Sequence, residues 1–213
     1  MEIRANLART LGNHGKHLAP FRKALIAMLD DSSPRVASLA AIALSNHGHK
    51  DAIEPAIKLL EKNDDKDVVL RHAGIMVLTK CANFAPDWRY FDHHSTAVRR
   101  AIVIALRRHK SHLLETYFGD RDQSVRQEAI RAAYEMDVRK TYPALSNQAH
   151  NIALRVSPEI KWHHLTARRA IFAAWVLGQE KDAEVIAKIS AAPKVKFRTR
   201  KASLNPPPER QKR

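Results

Sequence analysis

Apolar residues recur along this chain with a helical rather than a strand period. Five segments align without gaps: Ile3-Arg-Ala-Asn-Leu-Ala-Arg-Thr-Leu11, Val36-Ala-Ser-Leu-Ala-Ala-Ile-Ala-Leu44, Leu70-Arg-His-Ala-Gly-Ile-Met-Val-Leu78, Val98-Arg-Arg-Ala-Ile-Val-Ile-Ala-Leu106 and Val125-Arg-Gln-Glu-Ala-Ile-Arg-Ala-Ala133. Each opens on an aliphatic residue, and small or apolar residues return four and eight positions later, the stripe of a helix with one buried face. Ser33, Asp67, Ser95 and Asp122 stand three residues before four of these lead positions. All four are N-cap types, able to accept from the unpaired N–H groups of a first turn. Pro34 follows Ser33 at the first helical position, where a missing N–H costs nothing.

Partner helices are predicted at about 18–29, 51–62, 111–118 and 139–150. Short polar turns follow the first three: Asp30-Asp31-Ser32, Asn63-Asp64-Asp65 and Gly119-Asp120-Arg121. A longer helix fits 158–177, capped by Ser157, started by Pro158 and Glu159 and stopped by Gly178. A last helix is expected over 180–190. The lead positions Ile3, Val36, Leu70, Val98 and Val125 are 33, 34, 28 and 27 residues apart. One unit is therefore a helix–turn–helix of about 30 residues that cannot bury its apolar face alone and must stack on its neighbours.

Composition agrees. The 213 residues include 32 Ala and only 6 Gly, which favours helix over a turn-rich β fold and leaves no glycine-rich phosphate loop. Cys81 is the one cysteine, which excludes an intrachain disulfide, a CxxC site and a CxxCH haem attachment. No apolar run reaches the roughly 18–20 residues of a membrane span, and the first residues lack the apolar core of a signal peptide. A cytoplasmic location is expected of the chain as it stands; a fragment of a secreted protein would leave the location open. The net charge is +15, of which the segment 192–213 contributes +7. That segment, with Lys194, Lys196, Arg198, Arg200 and Lys201 before Asn205-Pro-Pro-Pro208, is read as a basic, disordered tail to a 1–191 repeat body.

The pattern D/S-x-x-V-R-x-x-A-x-x-A-L after a polar turn resembles HEAT repeats, over roughly residues 1–190. The resemblance implies an all-α, right-handed α-α superhelix, a HEAT-like solenoid of about six helix pairs whose second helices line a concave face. Ser95-Thr-Ala-Val-Arg-Arg-Ala101, residues 122–133 and Arg168-Arg-Ala-Ile-Phe-Ala-Ala-Trp-Val-Leu-Gly178 resemble the HEAT section of large bacterial dehydrogenase and haem-binding multidomain proteins. That likeness implies a scaffold section without the redox modules. Ile3–Leu11, read as a second helix without its first, is what a detached piece would show.

Candidate chemistry is sparse. The arginines after the lead positions, Arg4, Arg71, Arg99 and Arg126, admit two readings: a ladder of charge for an acidic partner, or braces to Asp31, Asp65, Asp92, Asp120 and Asp122 in the turns. The candidate partner surface comprises Arg99, Arg100, Arg107, Arg108, Arg126, Arg131, Arg168 and Arg169, with the basic tail beside it. Histidines come in close pairs: His47/His49, His93/His94, His109/His112 and His163/His164. His109 and His112 suit one helix face, but no adjacent carboxylate completes a metal set. No metal or other cofactor is expected. Cys81 reads as a packing residue. The leading expectation is a non-enzymatic scaffold presenting a basic concave surface to a protein or acidic partner. The alternative is nucleic-acid binding, including a DNA-glycosylase-like activity using Asp87, Trp88 and neighbouring bases, with Trp162 and Trp175 as further candidates or core residues.

Overall fold

The computed structural model describes residues 2–13, 19–86, 88–154, 164–177 and 179–191. The predicted tail, the start of the 158–177 helix with Ser157 and Trp162, and Asp87 and Gly178 lie outside the described residues. Ten α-helices run through the rest: α1 (Glu2–Asn13), α2 (Arg22–Ala27), α3 (Pro34–His47), α4 (Ile53–Asn63), α5 (Val68–Cys81), α6 (Thr96–Arg108), α7 (Gln123–Glu135), α8 (Tyr142–Leu154), α9 (His164–Leu177) and α10 (Glu180–Ala191). No strand occurs among the described residues.

The helices stack in two layers. α1, α3, α5, α6, α7 and α9 pack successively on one another; α2, α4, α8 and α10 cover them from the other side. This is the paired, solenoidal arrangement of an all-α HEAT-like repeat array. The lead stripe is buried as its period requires. Val36, Ala40 and Leu44 are at most 1% exposed, and Val98, Ile102, Leu106, Val125, Ala129 and Ala133 are fully buried. Two core clusters form, one from α1 to α5 and one from α4 to α10, with Ile53 packed against both.

Helix α1 departs from the pattern. Ala5 and Ala8 face α3, whereas Ile3 is 84% exposed and Leu7 is 43% exposed. The stripe predicted to be buried is thus the outer one, and only Leu11 reaches the core. Small residues face α3 because Gly12 there lies so close to Ala43 that an added Cβ would come within 3.1 Å of its side chain.

The caps differ from one another. Asp67 Oδ1 accepts from the N–H groups of Val69 and Leu70, at 2.7 and 3.1 Å. Asp122 does the same for Ser124 and Val125, and Ser95 Oγ accepts from Val98. Ser33, predicted as a cap, makes no such bond. Its own N–H donates instead to Asp31 Oδ1 at 2.9 Å, and Pro34 reduces the number of first-turn donors in need of a partner.

The first-layer predictions need two corrections. The segment 18–29 is not one helix: 3₁₀ turns at Ala19–Phe21 and Met28–Asp30 flank the short α2. The segment 111–118 is a 3₁₀ stretch, His112–Tyr117, which spans the repeat with fewer residues per unit length than an α-helix needs. This accounts for the shorter repeat spacing there. The helices predicted at 51–62, 139–150 and 180–190 are present, the first two opening on 3₁₀ turns at Lys50–Ala52 and Arg139–Thr141 and each ending one to four residues later than predicted.

Candidate functional site

The side chains that the second-helix layer leaves uncovered define one continuous face. Helical spacing puts Arg35, Leu39, Ile42 and Asn46 on it from α3, and Val69, His72, Met76 and Lys80 from α5. α6 adds Arg100, Ile104, Arg107 and Arg108, α7 adds Glu128, Arg131, Tyr134 and Glu135, and α9 adds Arg168, Phe172 and Trp175. Polar bonds within and between the repeats run across it. Arg100 Nη1 meets Asp65 Oδ2 at 2.6 Å, and Arg108 Nη1 reaches Met76 Sδ. Arg107 pairs with Glu135 at 2.9 Å and Glu128 at 3.5 Å, and Arg131 Nε donates to Glu135 Oε1 at 2.8 Å.

These pairs have electrostatic consequences. Glu135 titrates below the ordinary glutamate range, chiefly because Arg131 hydrogen-bonds it. Arg169, partly buried behind this network, has its pKa lowered by burial. The arginines are therefore not a bare cationic ladder: Asp65, Glu128 and Glu135 offset a large part of their charge. At the α7–α9 end the face turns aromatic. Tyr134 and Phe172 meet edge to face at 5.1 Å, and Trp175 lies 6.0 Å from Phe172 while 69% exposed.

Arg99 does not belong to this face. Its helix neighbour Arg100 points outward, but Arg99 is 1% exposed. Its guanidinium donates twice to Asp120, at 2.8 and 3.1 Å, and to the carbonyls of His93 and His94, at 2.7 and 3.0 Å. Asp120 holds Arg99 more firmly charged than usual. Arg126 likewise turns to the Asp120 carbonyl rather than to the open face. The bracing geometry repeats along the stack: Arg4 meets Asp31 at 2.8 Å, and Arg71 meets Asp65 at 3.8 Å.

The other candidates separate. His109, at the end of α6, sets Nε2 2.7 Å from the Thr79 carbonyl, and His112 begins the 3₁₀ stretch; a turn divides them, so they share no helix face. Cys81 is buried with Sγ 3.8 Å from the Leu44 carbonyl, and burial pushes its thiol up to about 11. Trp88 sits in the α5–α6 connection among Phe84, Tyr90 and Phe91, over a groove of about 590 Å³ lined by Lys50, Glu54, Lys58 and Arg89. It is therefore away from the arginine face. Sequence reasoning passed over one grouping: Glu61, at the end of α4, comes together with His93 and His94.

Taken together, the stacked helix pairs and the side-chain face they present define an α-solenoid of the repeat-scaffold class. The family model of HEAT repeats matches residues 1–80, and helices continue to stack on their neighbours through α10, so the fold is that of an all-α, HEAT-like solenoid. No curated protein matches the chain. Among the described residues, no helix is long and apolar enough to cross a membrane.

Proposed function

We propose that the chain is a non-enzymatic interaction scaffold whose second-helix face docks a protein partner carrying acidic side chains. HEAT repeats generally serve protein interaction, which supports the coarse reading. The observation that carries the finer one is the exposed Tyr134–Phe172–Trp175 patch next to Arg131 and Arg168. Exposed aromatic and arginine side chains are the residue types that dominate protein interfaces. Arg100, Arg107, Arg108 and Arg169 extend the surface. Arg99 and Arg126 serve the fold. The tail residues Lys194, Lys196, Arg198, Arg200 and Lys201 add charge that a partner's acids would meet. In a longer protein the same face would join the solenoid to neighbouring modules, as the likeness to multidomain redox proteins implies.

Nucleic-acid binding is the second reading, favoured by the net charge of +15. The acids Asp65, Glu128 and Glu135 among the arginines favour a protein surface, which can answer both signs of charge, over a phosphate backbone, which carries one. Affinity capture with the wild-type chain and with a Trp175→Ala, Arg131→Glu variant tests the proposal. Partners retained by the wild type and lost by the variant support it. Identical partner sets, or tight binding of a random DNA duplex that weakens steeply with salt, overturn it.

A further inference from the structure

Glu61, His93 and His94 bring one donor atom each to within 4.8 Å of one another. Glu61 lies in the last turn of α4, whereas the histidines lie in the loop before α6, so the repeat stacking itself creates the juxtaposition. His94 Nε2 lies 2.5 Å from Glu61 Oε1, and the two imidazoles stack at 4.4 Å. We propose that these three side chains form a site for a divalent transition-metal ion of the zinc class. Two imidazoles and a carboxylate are a donor set this class favours, with a fourth position left to water.

The backbone under the histidines is fixed independently of any ion. The buried Arg99 guanidinium holds both carbonyls, Arg121 donates to the His93 carbonyl at 2.9 Å, and Asp120 anchors Arg99. A buried ion pair thus presents adjacent histidines to a carboxylate on α4. The two guanidiniums add little repulsion toward a cation, since Asp120 pairs with Arg99 and Asp92 pairs with Arg121 at 3.3 Å. Donors bound at about 2.0–2.2 Å to one ion cannot lie more than about 4.4 Å apart, so the three need to close by a few tenths of an ångström, and the His94 ring must rotate out of its stack on His93 to aim both imidazole lone pairs at one ion. Glu61 is partly exposed and His94 exposed, which leaves their side chains free to do so.

One existing bond opposes the ion. Ser95 N–H donates to His93 Nδ1 at 3.1 Å. Coordination through Nδ1 displaces that N–H, and coordination through Nε2 puts the ring proton on Nδ1; either way the amide passes to water. Coordination through His94 Nε2 likewise replaces its direct contact with Glu61 Oε1. Micromolar rather than nanomolar affinity is expected.

Titration of the purified full chain with Co2+ and Zn2+, by calorimetry and by the visible Co2+ absorption band, tests the site. One equivalent is expected to bind, with the intense band of a four-coordinate ion. A His93→Ala, His94→Ala variant is expected to lose this equivalent, and Glu61→Gln to weaken it about tenfold or more. A His72→Ala, His112→Ala variant removes two exposed histidines elsewhere and keeps it. Circular dichroism of each variant checks folding. No stoichiometric binding by the wild type, or equal binding by the two double-histidine variants, overturns the proposal. Neither outcome bears on the partner face.

Discussion

At the scale of single residues, Arg99 carries the largest consequence. Removing it leaves the Asp120 carboxylate and two carbonyls without their buried donor. Loss of one member of a buried ion pair costs about 3–5 kcal/mol, whereas an apolar pair of similar volume costs far less. Urea unfolding should therefore show Arg99→Ala strongly destabilised and Arg99→Met, Asp120→Leu closer to the wild type; the reverse order would contradict the pairing. Cys81 gives a kinetic test. With its thiol pushed up to about 11 by burial, thiolate is scarce at neutral pH. A thiol reagent at pH 8 should label the native chain slowly and the unfolded chain fast.

At the scale of elements, the caps rank themselves. Asp67 and Asp122 each satisfy two first-turn N–H groups, and Ser33 satisfies none. Asp67→Ala or Asp122→Ala should cost about 1 kcal/mol, and Ser33→Ala a smaller fraction of that, in thermal or urea unfolding. Where α5 meets α4, Gly74 is packed so closely that an added Cβ would stand 2.7 Å from Leu60 Cγ. Gly74→Ala gains helix propensity but overpacks this seam, for a net loss of about 1–3 kcal/mol. Gly48 ends α3 at φ 63°, in the left-handed region, and tolerates no ordinary side chain without strain.

At the scale of the molecule, acid should loosen the stack at identifiable joints. Asp182 on α10 is buried; desolvation opposes its ionisation, but His150 and Ser146 on α8 hydrogen-bond it strongly enough to leave its pKa below the ordinary value. Asp122 is also lowered, first by the Ser124 hydroxyl. A carboxyl depressed in the folded state contributes stability that is fully present above its unfolded pKa of about 4 and is lost as pH falls through the folded value. Unfolding midpoints should fall most steeply below pH 4, where these carboxyls take up protons. Asp182→Asn should shrink that fall while lowering the midpoint at neutral pH. A flat profile would mean these contacts contribute nothing. The partner face has an opposite signature: Trp175→Ala should leave the midpoint unchanged, because Trp175 is mostly exposed, and act only on binding.

Local chemistry was legible in the sequence alone. The α5, α6 and α7 starts and three of four caps follow from periodicity and short-range hydrogen bonding, which the chain encodes over a few residues; the bracing of Arg4, Arg71 and Arg99 by turn acids was one of two readings the sequence admitted, and the stacking selected it. Packing decided the rest. Arg99 and Arg100 are adjacent and chemically identical, yet a 100° rotation about α6 buries one and exposes the other. The α1 stripe turned outward because the small residues beside it seat closer on α3. Glu61 meets His93 and His94 across more than thirty residues, and none of the three lies on the repeating apolar stripe, so only the packing of α4 beside the loop before α6 brings them together. Helices are set by neighbours along the chain; sites are set by which helices come to lie side by side.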